Sequence, residues 1–479
     1  MGMGSKRSAK RADSDPPGYP GNAARAAPQS PLPASAGASN GFRLASARPS
    51  FLPSAAMKEL CARNLPRPER REGLDGMLPV EMAAALRHLP GLVFFDTAGN
   101  LASSAMHPVS VIAARPACIH RGEIHSSSDR EHLRIAMDAH PQNLTDAGFP
   151  AGGLCGWVDY EGTYVFGEYH EMLVFTHEDQ AWWEIGSLSK ELRITTDLPA
   201  KVGPFTARTC RADFIRGVER IRDWIAAGDI YQVNLSQAFE ARVGGGSLLG
   251  LYQSLREASP APMAAYLDLD GTEVLSSSPE TFLKISGRGI ETCPIKGTRP
   301  RFADPDEDRR SAYELQTSAK EISELVMITD LLRNDLGRVC EFGSVEVSEM
   351  LQLESLAQVH HLVSTVKGTL TEGTDAIDAL ALCFPGGSIT GAPKKRAMEI
   401  IHDLEQHPRG IYCGAIGWLG FNGETSFNIA IRTLIRNGDK LIYQVGAGIV
   451  ADSDPEKEYE ETLHKAAGIR LAIGRWQNA

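Results

Sequence analysis

Two stretches of the sequence each carry a pair of glutamates three residues apart in a pattern typical of a helix. The pairs are Glu321 and Glu324 in segment 318–337, and Glu458 and Glu461 in segment 454–468. This spacing places both carboxylates on one helix face, and two such faces in contact would form a carboxylate-rich site suited to Mg²⁺. A single Glu-x-x-Glu pair is usually solvated surface charge. Lys465 also lies four residues after Glu461, so an ordinary helical ion pair is the alternative.

Three other features are suited to binding an anion. Segment 384–401 is a glycine-rich loop that leads into a helix with Pro393 near its first turn, where backbone N–H groups and the helix dipole can hold a carboxylate. The glycines of 445–450 let backbone N–H groups approach a ligand closely. Arg432, in the strand-like segment 429–435, can form a two-pronged bond to a carboxylate. The loop lacks the Gly-Lys-Ser/Thr of a phosphate-binding P-loop, so nucleotide binding is not predicted.

The elements that must position these groups are best defined after about residue 206. Segment 213–228 has apolar residues at helical spacing, and segment 230–239 alternates as a strand. The strand has one apolar face, and its other face carries a polar row of Gln232, Asn234 and Ser236. A solvent-facing surface is the simpler interpretation of that row, and a face that contacts a ligand is the alternative.

Length and composition indicate a large globular protein. The 479 residues suffice for two ordinary domains or one large one. A net charge of −11 argues against a general surface for nucleic acid or anionic membranes, and no apolar run approaches the ~20 residues of a membrane span. The basic start has no apolar segment behind it, which predicts a cytoplasmic rather than a secreted protein. None of the eight cysteines forms a Cys-x-x-Cys pair, which favours reduced thiols over a zinc site or a disulfide framework.

Residues 1–56 differ in composition from the rest of the chain. The first 50 contain seven prolines, and seven Lys/Arg against two acids. Such a stretch cannot bury enough apolar surface to offset its ordering entropy, which predicts a disordered basic tail. A transit peptide is the alternative, which the prolines disfavour. Residues 57–200 show strands and short helices with few groups suited to chemistry, whereas 206–475 carries the groups described above.

Nine strings of the sequence resemble, in the same order, the chorismate-utilising enzymes. They are YQVNLSQ (231–237), SSPETF (277–282), PIKGT (294–298), ELVMITDLLRNDLGRV (324–339), VHHLVSTVKG (359–368), PGGSITGAPKKRAMEII (385–401), YCGAIGW (412–418), FNIAIRT (427–433) and GAGIVADSDPEKEYEET (446–462). The family includes component I of anthranilate synthase and of aminodeoxychorismate synthase, and the isochorismate and salicylate synthases. The resemblance covers about 206–475, and 57–200 is more loosely similar to the N-terminal region of the anthranilate synthase component I type. It implies an α+β fold in which two large antiparallel β-sheets pack together, flanked by helices, with the active site in the cleft between them.

The resemblance also implies a metal and a set of substrate contacts. Glu324 and Glu461 would bind Mg²⁺ directly, and the ion would hold the ring carboxylate of chorismate. Glu321 and Glu458 would hold bridging waters. The other implied contacts are Gly446, Ala447, Gly448, Thr390 and Lys465 at the ring carboxylate, Tyr412 and Arg432 at the enolpyruvyl carboxylate, and Gln232 and Thr298.

Three catalytic residues follow from the same resemblance. Glu280 occupies the position of the family's general acid, and His361 is implied to lie near the departing C4 hydroxyl. Lys296 stands where anthranilate synthases usually have alanine and is similar to the lysine of aminodeoxychorismate synthases. There the amine attacks C2 as the C4 hydroxyl leaves, and ammonia then enters at C4 and expels the lysine. Gln232 stands where the isochorismate and salicylate synthases have a lysine base that activates water.

Lysine at 296 and glutamine at 232 therefore favour amination of chorismate at C4. The sequence shows no glutaminase motif, so ammonia is expected from solution or from a separate glutamine amidotransferase subunit. One alternative is the C2 amination of anthranilate synthase component I. Another is a catalytically inactive scaffold or binding subunit, which the intact glutamate pairs disfavour. No nucleic-acid or membrane partner is expected.

Overall fold

The computed structural model describes residues 65–98, 108–140, 148–194, 198–356 and 359–478, which contain 22 strands and ten α-helices. The strands are β1 (Glu69–Arg70), β2 (Val93–Asp96), β3 (Val109–Ala113), β4 (Ile119–Glu123), β5 (Gly153–Val158), β6 (Thr163–Tyr169), β7 (Met172–Thr176), β8 (Ala181–Ile185), β9 (Thr206–Ala207), β10 (Gln232–Arg242), β11 (Met263–Leu269), β12 (Thr272–Ser278), β13 (Thr281–Ser286), β14 (Gly289–Cys293), β15 (Ile295–Pro300), β16 (Glu346–Ser355), β17 (Val359–Thr369), β18 (Gly391–Ala392), β19 (Ala415–Gly420), β20 (Thr425–Ile429), β21 (Thr433–Asn437) and β22 (Lys440–Ile449). The helices are α1 (Pro79–Leu86), α2 (Ser127–Asp138), α3 (Arg211–Ala226), α4 (Leu249–Ala258), α5 (Pro305–Gln316), α6 (Ala319–Leu336), α7 (Ala376–Cys383), α8 (Lys394–Leu404), α9 (Pro455–Lys465) and α10 (Ala467–Asn478). The predicted disordered tail, 1–56, lies outside the described residues.

The strands form two large sheets in which hydrogen-bonded neighbours run antiparallel. The first sheet has twelve strands in the order β1-β8-β7-β3-β2-β11-β12-β21-β22-β10-β18, with β9 beside β10. The second has ten in the order β15-β17-β14-β13-β20-β19-β5-β6-β4, with β16 beside β17. Strands from before residue 200 and strands from after residue 206 occur in both sheets, so the two regions of the chain build the sheets together.

The two sheets pack face to face because their strands alternate apolar side chains between two faces. In β2 of the first sheet, Val93 and Phe95 point into the layer between the sheets, whereas Phe94 points to the helices outside. In β5 of the second sheet, Cys155 and Trp157 lie in the same inner layer. The expected α+β fold of two packed antiparallel sheets flanked by helices is confirmed.

The helices cover the outer faces and one end of this sandwich. Helices α1, α4 and α10 pack on the first sheet through residues such as Leu255. Helices α2 and α7 pack on the second through residues such as Leu133, whereas α3 and α8 pack on β10 of the first. At one end of the second sheet, α5 and α6 pack on β17 through Leu315, Leu325 and Leu362. This last contact fixes where α6, which carries one of the glutamate pairs, lies relative to β15 and β17.

Two further properties of the described residues bear on the class of the protein. None of their helices is long and apolar enough to cross a membrane. Their seven cysteines form no disulfide bond, and five of them are buried. Burial raises the pKa of the Cys293 and Cys383 thiols to about 12, so both remain protonated at neutral pH.

Candidate active site

Two adjacent crossings between the sheets bring Glu280 and Arg432 together. Strand β12 of the first sheet continues through Glu280 into β13 of the second, and β20 of the second continues through Arg432 into β21 of the first. The crossings are hydrogen-bonded to each other. The Ile429 N–H donates to the Glu280 carbonyl (3.0 Å), and the Ser277 N–H donates to the Arg432 carbonyl (3.2 Å). A carboxyl and a guanidinium group are thus placed at the junction of the two sheets.

The structure corrects two local predictions. Segment 429–435 is not one strand, because the chain passes from one sheet to the other there, and Arg432 lies between β20 and β21 with φ of 51°. The polar face of β10 is not a solvent-facing surface, since Gln232 is 2% and Ser236 6% exposed. Lys296 of the second sheet lies near Gln232 and helps to cover this face.

Lys296 lies on β15 next to an irregularity in the strand. The register of β15 against β17 shifts between Lys296 and Thr298, and Gly297 between them has φ of 76°, a conformation that favours glycine. A Cβ atom on Gly297 would lie 2.7 Å from Leu315 and 3.1 Å from Glu321 Oε2. This position therefore needs glycine, and the bulge sets the direction of the Lys296 side chain.

His361, on β17 opposite Thr298, is a buried neutral imidazole. Its Nδ1 lies 3.0 Å from Thr298 Oγ1 and 3.3 Å from the Gly297 carbonyl oxygen. A carbonyl only accepts hydrogen bonds, so Nδ1 carries the proton and Nε2 is an acceptor, with no partner among the described residues. Burial and the charge of Arg432 lower the pKa of His361 to about 4. At neutral pH, Nε2 can therefore accept a hydrogen bond from a substrate hydroxyl.

Glu280 has the environment of a general acid. Burial raises the pKa of its carboxyl, while a hydrogen bond from Ser388 and the positive charges of Lys296 and Arg432 oppose that shift. A raised pKa is what a carboxyl needs to donate a proton near neutral pH. Ser388 was not predicted from the sequence. It lies in the glycine-rich loop, where the prediction concerned backbone N–H groups and not a hydroxyl side chain.

Backbone amides of β22 face away from its neighbour β10. Gly446 is paired with Ser236, and Gly448 with Asn234. The N–H groups of Ser236 and Asn234 donate elsewhere, to Glu405 Oε1 (2.8 Å) and the Thr390 carbonyl (2.9 Å). These are therefore the pairs of an antiparallel ladder without mutual hydrogen bonds, and the amides of Gly446 and Gly448 point to the opposite side of β22. Strand β21 pairs with β22 only as far as Tyr443, so those amides are available to an anion.

Gln232 and Lys296, the two residues from which C4 amination was predicted, come close to each other at Gly448. A Cβ atom there would lie 2.4 Å from Gln232 Nε2 and 3.6 Å from Lys296 Nζ. Gln232 Oε1 is buried without a hydrogen-bond partner among the described residues. Position 448 needs glycine, because a Cβ atom there would clash with Gln232. The unpaired amide oxygen of Gln232 indicates a hydrogen bond that a ligand would complete.

Tyr412 and Thr390 make different contacts at the site. The Tyr412 hydroxyl lies 3.0 Å from where a Cβ atom on Gly446 would be, on the same face of β22 as Gln232 and Lys296. Thr390 is fully buried, and its hydroxyl lies within hydrogen-bond distance of the Gly386 and Gly387 carbonyls (3.1 and 3.2 Å). Thr390 thus holds the loop together, which leaves only the acceptor capacity of its hydroxyl for a ligand.

The four glutamates of the predicted metal site lie on two helices that come together. Helix α6 carries Glu321 and Glu324, and α9 carries Glu458 and Glu461. Two buried carboxylate oxygens, Glu324 Oε1 and Glu458 Oε2, have no hydrogen-bond partner among the described residues. Unpaired buried carboxylate oxygens are costly, and they are the ligands that Mg²⁺ prefers. The residues present therefore fit the implied ion.

Charges around the cluster differ between its two helices. Burial raises the pKa of Glu324, against the positive charges of Lys296 and Lys320. Burial also acts on Glu461, but the nearby charge of Lys465 outweighs it and lowers the pKa of Glu461. Lys465 Nζ lies 2.8 Å from Glu461 and donates to the Gly446 carbonyl at 3.0 Å. Lys465 therefore forms the ordinary helical ion pair with Glu461. It also connects α9 to Gly446 of β22, in the predicted carboxylate site.

Lys320 is a cation within the cluster that the sequence did not single out. Its Nζ lies 4.0 Å from Glu324 and 3.9 Å from Glu458, so it bridges the two helices. Burial disfavours its charge, but the surrounding glutamates outweigh burial and raise its pKa, so it is charged at neutral pH. The positive charge of Lys320 therefore partly substitutes for that of a metal ion.

Replacement of Lys320 by alanine is expected to tighten Mg²⁺ binding, because a competing positive charge is removed. The side chain is half-exposed, so we expect a change of up to about fivefold, matching the ~0.2–1 kcal/mol of exposed ion pairs. Calorimetric titration of the substrate-free protein with Mg²⁺ measures it. Lys457→Ala, which removes the same charge from an exposed position on α9, is the control and should leave the affinity unchanged. Weaker binding in Lys320→Ala would show that the lysine orders the carboxylates instead.

Comparison with known proteins places this site in a family. A sequence model of the chorismate binding enzymes matches residues 130–470. Aminodeoxychorismate synthase component 1 of Bacillus subtilis is 39% identical over 329 residues, which are 64% of this chain and 69% of that protein. Anthranilate synthase component 1 of Streptomyces coelicolor is 47% identical over 276 residues, 57% of this chain and 54% of that protein. The crystal structure of anthranilate synthase component I from Streptococcus pneumoniae superposes with a TM-score of 0.67 at 29% identity, covering 78% of this chain and 94% of the other.

The chain belongs to the chorismate-binding enzyme family.

Membership extends beyond the region where the motifs lie. The family match begins at residue 130, well before the resemblance at 206 that the ordered strings support. This agrees with the fold, in which β5 and β6 are interior strands of the second sheet. The assignment of individual residues to metal, substrate and catalysis remains a prediction.

Proposed function

We propose that the chain is the chorismate-aminating subunit of an aminodeoxychorismate synthase, which converts chorismate and ammonia to 4-amino-4-deoxychorismate. The placement of Lys296 carries this proposal. Its positive charge acts on Glu280, Glu324 and Glu461. The amine therefore lies among the candidate acid and the candidate metal ligands, where a nucleophile would reach a substrate held by both.

The proposed chemistry proceeds in two displacements, both of which balance within the site. The Lys296 amine forms a bond to C2 of chorismate, both ring double bonds shift by one position, and the C4 hydroxyl leaves as water with a proton from Glu280. The alkylated amine returns a proton to the Glu280 carboxylate. Ammonia then bonds to C4, the two double bonds shift back, and Lys296 leaves as the neutral amine with a proton from Glu280. The new ammonium group at C4 returns a proton to the Glu280 carboxylate. His361 accepts a hydrogen bond from the substrate through Nε2, and Arg432 pairs with a carboxylate.

Magnesium fits the four glutamates described above. When bound there, Mg²⁺ would neutralise the ring carboxylate of the substrate. The chain itself supplies the remaining contacts to that carboxylate, from the amides of Gly446 and Gly448. Arg432 supports a second carboxylate contact, because burial disfavours its charge and lowers its pKa, and the opposing charge of Glu280 does not fully offset this.

Anthranilate synthase component I is the second candidate. It is favoured by the 47% identity to the anthranilate synthase of Streptomyces coelicolor, against 39% to the aminodeoxychorismate synthase of Bacillus subtilis, although over a shorter match. The experiment is incubation of the purified chain with chorismate, Mg²⁺ and ammonium. The proposal predicts a product with the mass of aminodeoxychorismate that an added lyase converts to p-aminobenzoate. Fluorescent anthranilate would replace the proposal with the second candidate, and no turnover would favour an inactive scaffold.

The source of nitrogen provides a separate prediction. We expect the chain alone to use ammonium and not glutamine, because the sequence shows no glutaminase motif. Addition of a glutamine amidotransferase subunit should restore turnover with glutamine. Product formation is followed with each nitrogen source, with and without the partner. Glutamine-dependent turnover by the chain alone would contradict the subunit assignment.

A further inference from the structure

A cluster of metal-binding side chains lies outside the candidate active site, around Glu168 of β6. Its Oε2 lies 2.9 Å from His120 Nε2 and 3.2 Å from Cys118 Sγ. Its Oε1 lies 2.8 Å from His170 Nε2 and 3.2 Å from His140 Nε2. Glu168 and His140 are buried, at 4% and 1% exposure. One carboxylate is thus contacted by three imidazoles and a thiol.

The fold keeps this cluster away from the chorismate site. Cys118 and His120 lie at the start of β4, the edge strand, and Glu168 lies on the adjacent β6. Five strands separate β6 from β17, which carries His361. At about 4.8 Å between strands, the separation is about 30 Å along the sheet. The cluster therefore has no part in the proposed amination.

Three atoms of the cluster form a tight triangle. Cys118 Sγ is 3.0 Å from His120 Nε2, and both atoms are within 3.2 Å of Glu168 Oε2. The thiol and the imidazole nitrogen can donate at most two hydrogen bonds, whereas the triangle has three short distances. One pair of atoms is therefore in close contact without a proton between them. A metal ion bound to all three atoms removes this conflict. Zinc bonds of about 2.0–2.3 Å in tetrahedral geometry require edges of about 3.3–3.6 Å, only a few tenths longer than those present.

The other two histidines, His140 and His170, support the Glu168 carboxylate through its second oxygen, Oε1. The carboxylate can only accept from His140 and His170, so Nε2 carries the proton in both rings. They hold Oε1 and leave Oε2 directed at Cys118 and His120. Hydrogen-bonded partners of this kind orient the ligands of metal sites and strengthen binding. The half-buried Cys118 and His120 leave the fourth position of the ion on the solvent side.

We propose that Cys118, His120 and Glu168 bind one divalent transition-metal ion of the zinc class through Sγ, Nε2 and Oε2, with His140 and His170 orienting the carboxylate. Binding replaces the thiol proton of Cys118, which is released to solvent. A thiolate, an imidazole and a carboxylate select zinc-class ions over Mg²⁺. No motif along the chain indicated this site, because Cys-x-His supplies only two ligands and Glu168 comes from another strand.

The test uses the untagged full chain, stripped with a chelator and kept in saturating Mg²⁺ so that oxygen-only sites are filled. Titration with Co²⁺ should give a thiolate-to-cobalt charge-transfer band that saturates at one ion per chain and disappears when Zn²⁺ is added. Cys118→Ser and His120→Gln should lose the band and weaken binding by about 100-fold or more, whereas His170→Gln should keep the band with roughly 10- to 100-fold weaker binding. Cys210→Ser, at an exposed cysteine, should bind as the unaltered chain does.

A second measurement avoids variants that fail to fold. Zn²⁺ should protect Cys118 of the unaltered chain from maleimide while Cys210 remains reactive, as peptide mapping shows. Absence of the charge-transfer band and of protection would overturn the proposal. So would an unchanged band in Cys118→Ser, or metal binding that survives Cys118→Ser but not His140→Gln, which would place the ion on His140, Glu168 and His170.

Discussion

Lys296→Ala is expected to lose C4 amination of chorismate by about three orders of magnitude or more, as when other covalent nucleophiles are removed. Chorismate should still bind, because the glutamates of α6 and α9 and the guanidinium of Arg432 are unchanged. We expect the residual activity to shift toward direct attack at C2, as in relatives with alanine at this position. Lys296→Arg should not restore the rate, since a guanidinium remains protonated and is a poor nucleophile.

The matched control is Lys367→Ala, on the neighbouring strand β17 and half-exposed, which should retain full activity. Intact-protein mass spectrometry tests the mechanism without relying on rates. Enzyme, Mg²⁺ and chorismate mixed without ammonia should give an adduct of dehydrated chorismate on the peptide that contains Lys296. Full C4-amination rates in Lys296→Ala would show that ammonia displaces the hydroxyl directly.

Glu324→Gln and Glu461→Gln are each expected to abolish turnover while the protein stays folded. Even changes to residues that only orient metal ligands cost roughly 10- to 100-fold, so loss of a direct ligand should exceed about 100-fold. The Tm of Glu324→Gln should be unchanged or higher, because the negative charges of Glu321 and Glu461 already act unfavourably on Glu324. The Tm of Glu461→Gln should fall slightly, because this variant loses the partly exposed ion pair with Lys465. Activity is measured as a function of Mg²⁺ concentration, and folding by thermal unfolding without the ion.

Glu460→Gln is the control for charge, since this exposed residue lies beside Glu461 on α9 but points away from the cluster. It should retain normal activity and normal dependence on Mg²⁺. Near-normal turnover by Glu324→Gln or Glu461→Gln at saturating Mg²⁺ would mean that other groups hold the ion. A loss of folding in both variants would assign these carboxylates a structural role.

The N-terminal region, 57–200, lacks the motifs of the candidate active site but contains the proposed metal site on Glu168. The sequence predicted few groups suited to chemistry in 57–200, and none of its segments carries a motif of the family's active site. The fold nevertheless brings Cys118, His120, His140 and His170 around one carboxylate. Sequence spacing did not indicate this, because three separate segments supply the side chains.

The sequence by itself determined those properties that depend on local geometry. A spacing of three residues fixes two carboxylates on one helix face, so the pairs on α6 and α9 could be proposed from the chain alone. Ordered motifs also indicated the family and its two packed antiparallel sheets. Local alternation was enough to identify β10 as a strand, but it did not show which environment its polar face would have.

Only the tertiary structure decided which groups meet. Glu280 and Arg432 are neighbours because two chain segments cross between the sheets together. Gln232 and Lys296 meet at Gly448 because the two sheets close on each other there. Lys320, Ser388 and the neutral state of His361 depend likewise on burial and on charges from other elements. Distance, burial and pKa are set by long-range packing, whereas spacing along the chain fixes only the face from which a side chain projects.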